Sequence, residues 1–113
     1  MAETKVTKNE IEAQENWIAP TLSGSWVNYG SGFATAGYMK DSMGFVHMKG
    51  LIKSGTSTAF TLPAGYRPVE TQNFATMANN LFGFAEVRAD GAVTPVGSNA
   101  YFSLDTIHFK AEN

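Results

Sequence analysis

Residues Thr61–Pro68, with the sequence TLPAGYRP, decide the fold because they end a strand at a rigid corner. The stretch begins within Ala59–Leu62, a short apolar run typical of a strand. Pro63 and Pro68 each fix their own φ angle and push the preceding residue into an extended conformation, so no helix can pass through. Gly65 supplies the freedom for a turn between the prolines. The stretch therefore predicts a strand that ends at a corner and is followed by an ordered loop.

Two side chains within this corner are predicted to be structural. The ring of Tyr66 can pack on the end of a barrel while its hydroxyl finds a hydrogen-bond partner. Arg67 stands between Tyr66 and Pro68, a place that suits a hydrogen-bonded corner better than a mobile ligand clamp. We therefore expect Arg67 to stabilise the fold and leave it out of the candidate binding site.

Alternating segments and turn signals surround the corner. Asp90-Gly91, between two apolar-rich runs, is a strong signal for a tight hairpin, and a second hairpin is predicted around Asp41–Gly44. Strands are predicted near residues 25–30, 36–41, 44–53, 58–62, 73–77, 81–89, 92–96 and 99–109, the last of which can break at Leu104-Asp105. Short strands at intervals of roughly 8–12 residues are typical of a barrel or a sandwich.

The strand predicted at 44–53 has two different faces. One face carries Val46, Met48, Gly50 and Ile52, and the other carries Phe45, His47, Lys49, Leu51 and Lys53. We assign the first face to the core, where a glycine indicates a close crossing or a bulge. The second face mixes large apolar side chains with polar ones, as a contact between protomers does.

Composition favours one all-β domain. The 113 residues are 43% hydrophobic and only 16% charged, and 11 of them are glycine. Few charges together with many Gly, Thr and aromatic residues suit strands better than helices. We therefore predict a small antiparallel β-barrel or jelly-roll-like sandwich over residues 17–113.

Bulk properties also exclude several classes of function. The net charge of −2 and the scattered Lys and Arg residues argue against nucleic acid as a partner, because that affinity comes mostly from phosphate neutralisation. The absence of cysteine excludes disulfides and thiolate metal sites. We expect neither a signal peptide nor membrane insertion, since the first residues lack an apolar core and no run approaches roughly 20 apolar residues.

Residues 1–16 differ from the rest, being rich in charge and free of aromatic residues and glycine. Thr7 and Glu10 form a capping-box pattern, and Val6 with Ile11 fits a hydrophobic staple. Two readings remain open: a short helix over about 8–16, which would depend on packing, or a disordered segment. Residues 1–16 are interpreted as a neck or linker that enters the domain.

The sequence contains few candidate catalytic or metal-binding residues. The two histidines, His47 and His108, form no pair with metal-ligand spacing, and His108 should point outward from an alternating strand. Asp41 and Asp90 are better explained as turn residues and Asp105 as a bend than as a glycosidase pair. We therefore predict no enzymatic activity, no metal and no cofactor.

Binding is better supported, because sugar sites combine aromatic faces with carboxylates, amides and guanidinium groups. Glu86 and Arg88 share a strand face with Phe82 and Phe84. Tyr29 lies near a glycine-rich loop with Trp26 and Phe33, although most of these aromatic residues are expected in the core. The candidate ligand-binding residues are Tyr29, His47, Glu86 and Arg88.

The order of these motifs resembles the C-terminal receptor-binding head domain of tailed-bacteriophage tail-fibre and baseplate proteins. The matching pieces are Trp26 with Asn28 and Gly30, Tyr38 with Lys40 and Asp41, the glycine-spaced 44–52 strand, the 62–68 corner, Asp90-Gly91 and the closing 104–109 segment. The corner is the most specific of them. The resemblance covers residues 17–109.

The resemblance implies a head that trimerises, belongs to the virion at the tail tip and is made in the host cytoplasm. It implies non-covalent adhesion to a bacterial surface glycan or teichoic-acid-like polymer, with other tail or baseplate proteins as further partners. Alternatives are a structural cap or assembly module without a ligand and a glycan depolymerase. Ligand residues carry no shared motif in such heads, so none is transferred here.

Overall fold

Strands and turns make up all the regular secondary structure in residues 15–113, the part of the chain that the computed structural model describes. The predicted all-β class is therefore confirmed. The strands are β1 (Val27–Asn28), β2 (Gly37–Lys40), β3 (Phe45–Lys49), β4 (Leu51–Lys53), β5 (Phe60–Thr61), β6 (Gln72–Ala78), β7 (Leu81–Val87), β8 (Ala92–Val96), β9 (Phe102–Ser103) and β10 (His108–Lys110). The predicted neck lies outside the described residues except for Glu15 and Asn16, which belong to no helix.

Two antiparallel sheets form a half-barrel around one core. The larger sheet has the order β1-β4-β9-β6-β7-β8-β5, and the smaller one has the order β10-β3-β2. Tyr38 of the small sheet stacks on Phe60 of the large sheet at 6.4 Å between ring centroids. Phe74 and Phe109 make a second contact between the sheets at 6.1 Å. The core thus lies between the two sheets, as the alternating pattern predicts.

The alternation predicted for residues 44–53 is confirmed, since Val46, Met48 and Ile52 are all buried. At Gly50 the chain leaves the small sheet, where β3 ends, and enters the large sheet as β4. Its φ angle is +119°, and a Cβ atom there would lie 2.6 Å from the Cα of Ala36. The glycine at this position therefore permits a close backbone crossing, as its place in the sequence suggests.

Both predicted hairpins are present. Asp41 Oδ1 accepts hydrogen bonds from the N–H groups of Met43 and Phe45 at 2.9 and 3.0 Å, which closes the turn between β2 and β3. The Asp90-Gly91 turn joins β7 to β8, with the Gly91 N–H donating to the Arg88 carbonyl at 2.8 Å. Asp90 Oδ1 also accepts the Ala92 N–H at 3.0 Å, so a side-chain acceptor explains why aspartate stands at each turn.

Some strands are shorter than predicted. β1 spans only Val27–Asn28 because positive φ angles at Ser25 (68°) and Gly30 (81°) end the extended conformation on either side. The segment predicted at 99–109 contains two short strands, β9 and β10. Between them Asp105 turns away from the sheet and its Oδ1 accepts the Gly50 N–H at 2.8 Å.

Tyr66 and Arg67 stabilise the corner at Pro63–Pro68, as predicted. The Arg67 Nε–H donates to the Leu62 carbonyl at 2.8 Å, and the Tyr66 ring packs edge-on against Tyr38 at 5.4 Å. The Tyr66 hydroxyl donates to the Glu15 carboxylate. That hydrogen bond, with burial as a smaller cause, raises the pKa of Tyr66 to about 12. The corner therefore anchors the segment that leads into the domain.

The Arg67→Ala variant should be less stable than the wild type, because the Leu62 carbonyl loses a charge-assisted hydrogen bond worth about 1.5 kcal/mol. The expected fall in melting temperature is roughly 5–10 °C, measured by thermal circular dichroism. The control is Arg88→Ala, which removes only a solvent-screened ion pair with Glu86 and should leave the melting temperature nearly unchanged. Equal melting temperatures for the two variants would contradict the structural role of Arg67.

The Gly50→Ala variant should lose at least about 3 kcal/mol of unfolding free energy, because backbone strain adds to a clash with Ala36. Gly65→Ala is the matched control: its φ angle is +93°, yet no atom lies within 4 Å of a Cβ placed there. That variant carries the strain alone and should lose about 1 kcal/mol. Urea denaturation measures both changes, and similar losses would show that the crossing at Gly50 is not sterically limited.

Candidate functional site

The outer face of the large sheet carries an apolar strip, formed by Met77, Phe82, Phe84 and Val96. Met77 lies directly opposite Phe82 across β6 and β7, and Phe84 lies opposite Val96 across β7 and β8. Phe82 is 91% exposed and Met77 is 51% exposed. A contiguous apolar patch of this kind marks an interaction surface more often than a free surface.

The turn between β6 and β7 fixes the position of this strip. Asn79 and Asn80 both have positive φ angles, 54° and 63°, as a two-residue hairpin turn requires. The turn pairs Ala78 with Leu81, so that Met77 and Phe82 share the outer face. Beside them is a cavity of about 450 Å³ lined by Ala75, Thr76, Met77, Asn80, Leu81, Phe82 and Thr106.

An aromatic pocket adjoins the apolar strip at Met77. It has a volume of about 390 Å³ and is lined by Tyr29, Phe33, Ala34, Leu51, Met77, Tyr101, Ser103 and Asp105. The Tyr29 ring stands nearly perpendicular to that of Phe33 (5.4 Å, 87°) and to that of Tyr101 (6.1 Å, 84°). The pocket therefore exposes both ring edges and ring faces within one cavity.

The fold positions each wall of the aromatic pocket. The Tyr29 N–H donates to the Leu51 carbonyl at 2.8 Å, which extends the β1–β4 pairing by one residue. The Tyr101 hydroxyl donates to Asn80 Oδ1 at 2.7 Å and so ties the pocket to the β6–β7 turn. The Lys53 ammonium lies 5.0 Å from the centroid of the Tyr29 ring.

The aromatic pocket lies at the end of the domain opposite the Pro63–Pro68 corner. Glu15 contacts that corner through Tyr66. The Leu62 N–H donates to the Gly91 carbonyl, so the β7–β8 turn lies at the same end. We call this the corner end. β7 runs from Leu81, beside the Asn79-Asn80 turn, towards the β7–β8 turn, so its start lies at the other, distal end.

The four residues predicted to bind a ligand occupy three places. Tyr29 is half-buried in the aromatic pocket. Glu86 and Arg88 contact each other, with Arg88 Nε donating to Glu86 Oε1 at 2.7 Å, and this bond raises the pKa of Arg88. His47 lies on the outer face of the small sheet. Their role in binding stays a prediction.

His47 belongs to a polar cluster of its own. Its Nε2 lies 2.7 Å from Asp41 Oδ2, and this hydrogen bond is the main cause that lowers the pKa of Asp41. Its ring stacks on that of His108 at 6.3 Å and 17°, because the two residues are cross-strand partners in β3 and β10. Asp41 therefore both closes a turn and orients His47.

Sequence reasoning did not find two walls of the aromatic pocket, Tyr101 and Asp105. Tyr101 stands two residues before Ser103, and the alternation of that segment could have placed both on the outer face. Asp105 was interpreted as a bend residue, and its bond to Gly50 supports that role. Asp105 also lies in the wall of the pocket because the crossing at Gly50 brings it there, and no local sequence pattern indicates this contact.

The carboxylates in residues 15–113 are used mainly by the fold. Asp41, Asp90 and Asp105 each accept backbone N–H groups at turns or at the crossing, and Glu86 pairs with Arg88. Within this described range no group of three His, Asp or Glu side chains could hold a metal ion. The same range contains no helix that is long and apolar enough to cross a membrane.

Comparisons with known proteins add one match. No protein-family model matches the chain. No curated protein sequence matches it either. Among solved structures, the receptor binding protein (gp15) of Listeria phage PSA is similar, with a TM-score of 0.70 and 16% sequence identity. The match covers 99% of this chain and 79% of that chain, so the chain shares the fold of a phage receptor-binding protein.

Proposed function

We propose that the chain is the receptor-binding head of a phage tail-fibre or baseplate protein and holds a bacterial surface saccharide without covalent chemistry. The observation that carries this proposal is the open aromatic pocket at the distal end, opposite the end that Glu15 contacts. A head joined to a fibre at its corner end would present this pocket to a cell. The fold shared with a phage receptor binding protein supports the same role.

Adhesion by such a head would rest on many weak contacts. A shallow pocket with stacking faces and few charges offers modest affinity for one sugar unit. Several heads on one virion would bind a repeating polymer together, and such avidity can add roughly two to four decades of affinity. Glu86 and Arg88, towards the corner end of the large sheet, and His47, on the small sheet, lie away from the aromatic pocket and would contact distant units of a glycan or teichoic-acid-like polymer.

The proposed assembly is a homotrimer, with other tail or baseplate proteins as neighbours in the virion. The apolar strip supports self-association, because Phe82 is almost fully exposed and lies opposite Met77. Symmetric burial is a common way to cover such a patch. The choice of three protomers comes from the resemblance to phage receptor-binding heads.

A catalytic role is less well supported than adhesion. The carboxylates of Asp90 and Asp105 accept backbone N–H groups and that of Glu86 pairs with Arg88, roles that the fold itself explains. The solved structure that shares the fold is described as a receptor binding protein. We therefore propose a non-enzymatic head at the tail tip of the virion, made in the host cytoplasm.

A fluorescent fusion of the full chain should label cells of susceptible strains, and free surface saccharide should compete the label away. Fluorescence microscopy over a strain panel measures this result. Labelling of no strain would favour a structural cap, and shortening of the purified polymer would reveal a depolymerase. Glu86→Ala, which removes only an exposed pair with Arg88, should stay folded and label cells less well.

The wild-type chain should form a trimer at micromolar concentration, and Phe82→Glu should convert it to a monomer because a charge cannot be buried in the apolar strip without a partner. Light scattering after size exclusion measures both masses. Phe45→Glu tests the other face that the sequence indicated as a protomer contact; because Phe45 is 38% exposed and the Lys110 ammonium lies 5.6 Å from its ring centroid, this variant should remain a trimer if the apolar strip is the interface. A monomeric wild type, or a trimeric Phe82→Glu variant, would contradict this interface.

A further inference from the structure

The aromatic pocket has a volume typical of small-molecule sites. Its volume of about 390 Å³ falls in the roughly 300–1,000 Å³ range of ligand pockets. Phe33 is 56% exposed, so much of its ring is accessible to a ligand, and the Tyr29 ring packs against it at nearly a right angle. The C–H face of a sugar ring is apolar and packs on such a surface, whereas its hydroxyl groups need polar partners at the rim.

The charges at the pocket favour an uncharged ligand. Asp105 is the one ionisable carboxylate among the lining residues, and Lys53, over the Tyr29 ring, is the nearby cation. The Asp105 carboxylate in the wall repels an anion, and no arginine lines the cavity. Recognition of a phosphate group usually depends on arginine forks or clustered cations, which this pocket does not offer.

Hydrogen-bonding groups stand at the rim in fixed orientations. Asp105 Oδ1 accepts the Gly50 N–H, so the second carboxylate oxygen is left to accept from a ligand hydroxyl. The Ser103 hydroxyl oxygen accepts the Asp105 N–H at 3.2 Å, and its own proton is available to a ligand oxygen. A vicinal pair of sugar hydroxyls can satisfy one acceptor and one donor at the same time.

We propose that the aromatic pocket binds one uncharged pyranose unit of the surface saccharide, stacked on the Phe33 ring, in contact with Tyr29 and hydrogen-bonded to Asp105 and Ser103. This inference rests on the proposed adhesive function and specifies its ligand class and its site. An anionic polyol phosphate is the competing ligand class. The Asp105 carboxylate in the wall, with no arginine beside it in the lining, counts against it.

Ligand-observed NMR on the 113-residue chain tests the pocket with four probes: methyl glucoside, methyl galactoside, methyl N-acetylglucosaminide and glycerol phosphate. At least one pyranoside should bind more tightly than glycerol phosphate. Phe33→Ala should weaken that binding roughly three- to ten-fold through the lost stacking surface. The matched control Phe45→Ala removes an exposed ring from the small sheet and should leave the affinity unchanged.

The Asp105→Asn variant separates the two ligand classes. An amide oxygen can still accept the Gly50 N–H, so the fold should be kept, while the charged acceptor for the sugar is lost. Pyranoside binding should fall several-fold, whereas loss of the negative charge should not weaken glycerol phosphate binding. Unchanged pyranoside binding by this variant, or preference of the wild type for glycerol phosphate, would overturn the proposal.

Cell labelling by the same proteins distinguishes failure of the pocket from failure of the function. If the wild type labels cells but no pyranoside binds, or if Phe33→Ala binds and labels as the wild type does, the pocket assignment is wrong and adhesion stands. If the wild type labels no strain, the adhesive function is wrong. If a folded Phe33→Ala protein loses labelling while Phe45→Ala labels as the wild type does, the pocket assignment and the adhesive function are both supported.

Discussion

The crossing of the backbone at Gly50 is the constraint on which the two-sheet arrangement depends. There β3 of the small sheet continues into β4 of the large sheet, and the chain passes within contact distance of the Ala36 backbone. The Gly50 N–H and carbonyl are both satisfied, by the Asp105 carboxylate and by the Leu104 N–H at 2.8 Å each. Because the crossing is closed by hydrogen bonds from the 104–105 bend, it also fixes where β9 ends.

The two ends of the domain have different physical characters. The corner end is rich in hydrogen bonds that tie distant parts of the chain together, including those of Arg67 with Leu62 and with Glu112. The distal end is built from tight turns and open aromatic groups, such as the Asn79-Asn80 turn and Tyr29. Rigid anchoring at one end and exposed apolar chemistry at the other suit a domain that is held on one side and makes contacts on the other.

Local signals made most of the fold predictable. Prolines at 63 and 68, the Asp90-Gly91 turn and the alternation of residues 45–52 each act within a few residues, and each predicted its element correctly. The sequence also indicated an apolar outer face on β7. The aromatic pocket was only partly predictable, because it joins residues from four separate segments. Tyr29 was identified from its loop, whereas its contact with Tyr101 depends on the pairing of β4 with β9.

Asp105 belongs both to the crossing and to the wall of the aromatic pocket. A substitution that removes its oxygen acceptor would leave the Gly50 N–H without a partner, so this position has little freedom to drift. Ser103 is constrained as well, because its hydroxyl oxygen accepts the Asp105 N–H and its carbonyl accepts from Thr76. Phe33 projects from a loop and carries no comparable structural duty. Diversification among relatives should therefore concentrate at position 33, while acceptors persist at 103 and 105.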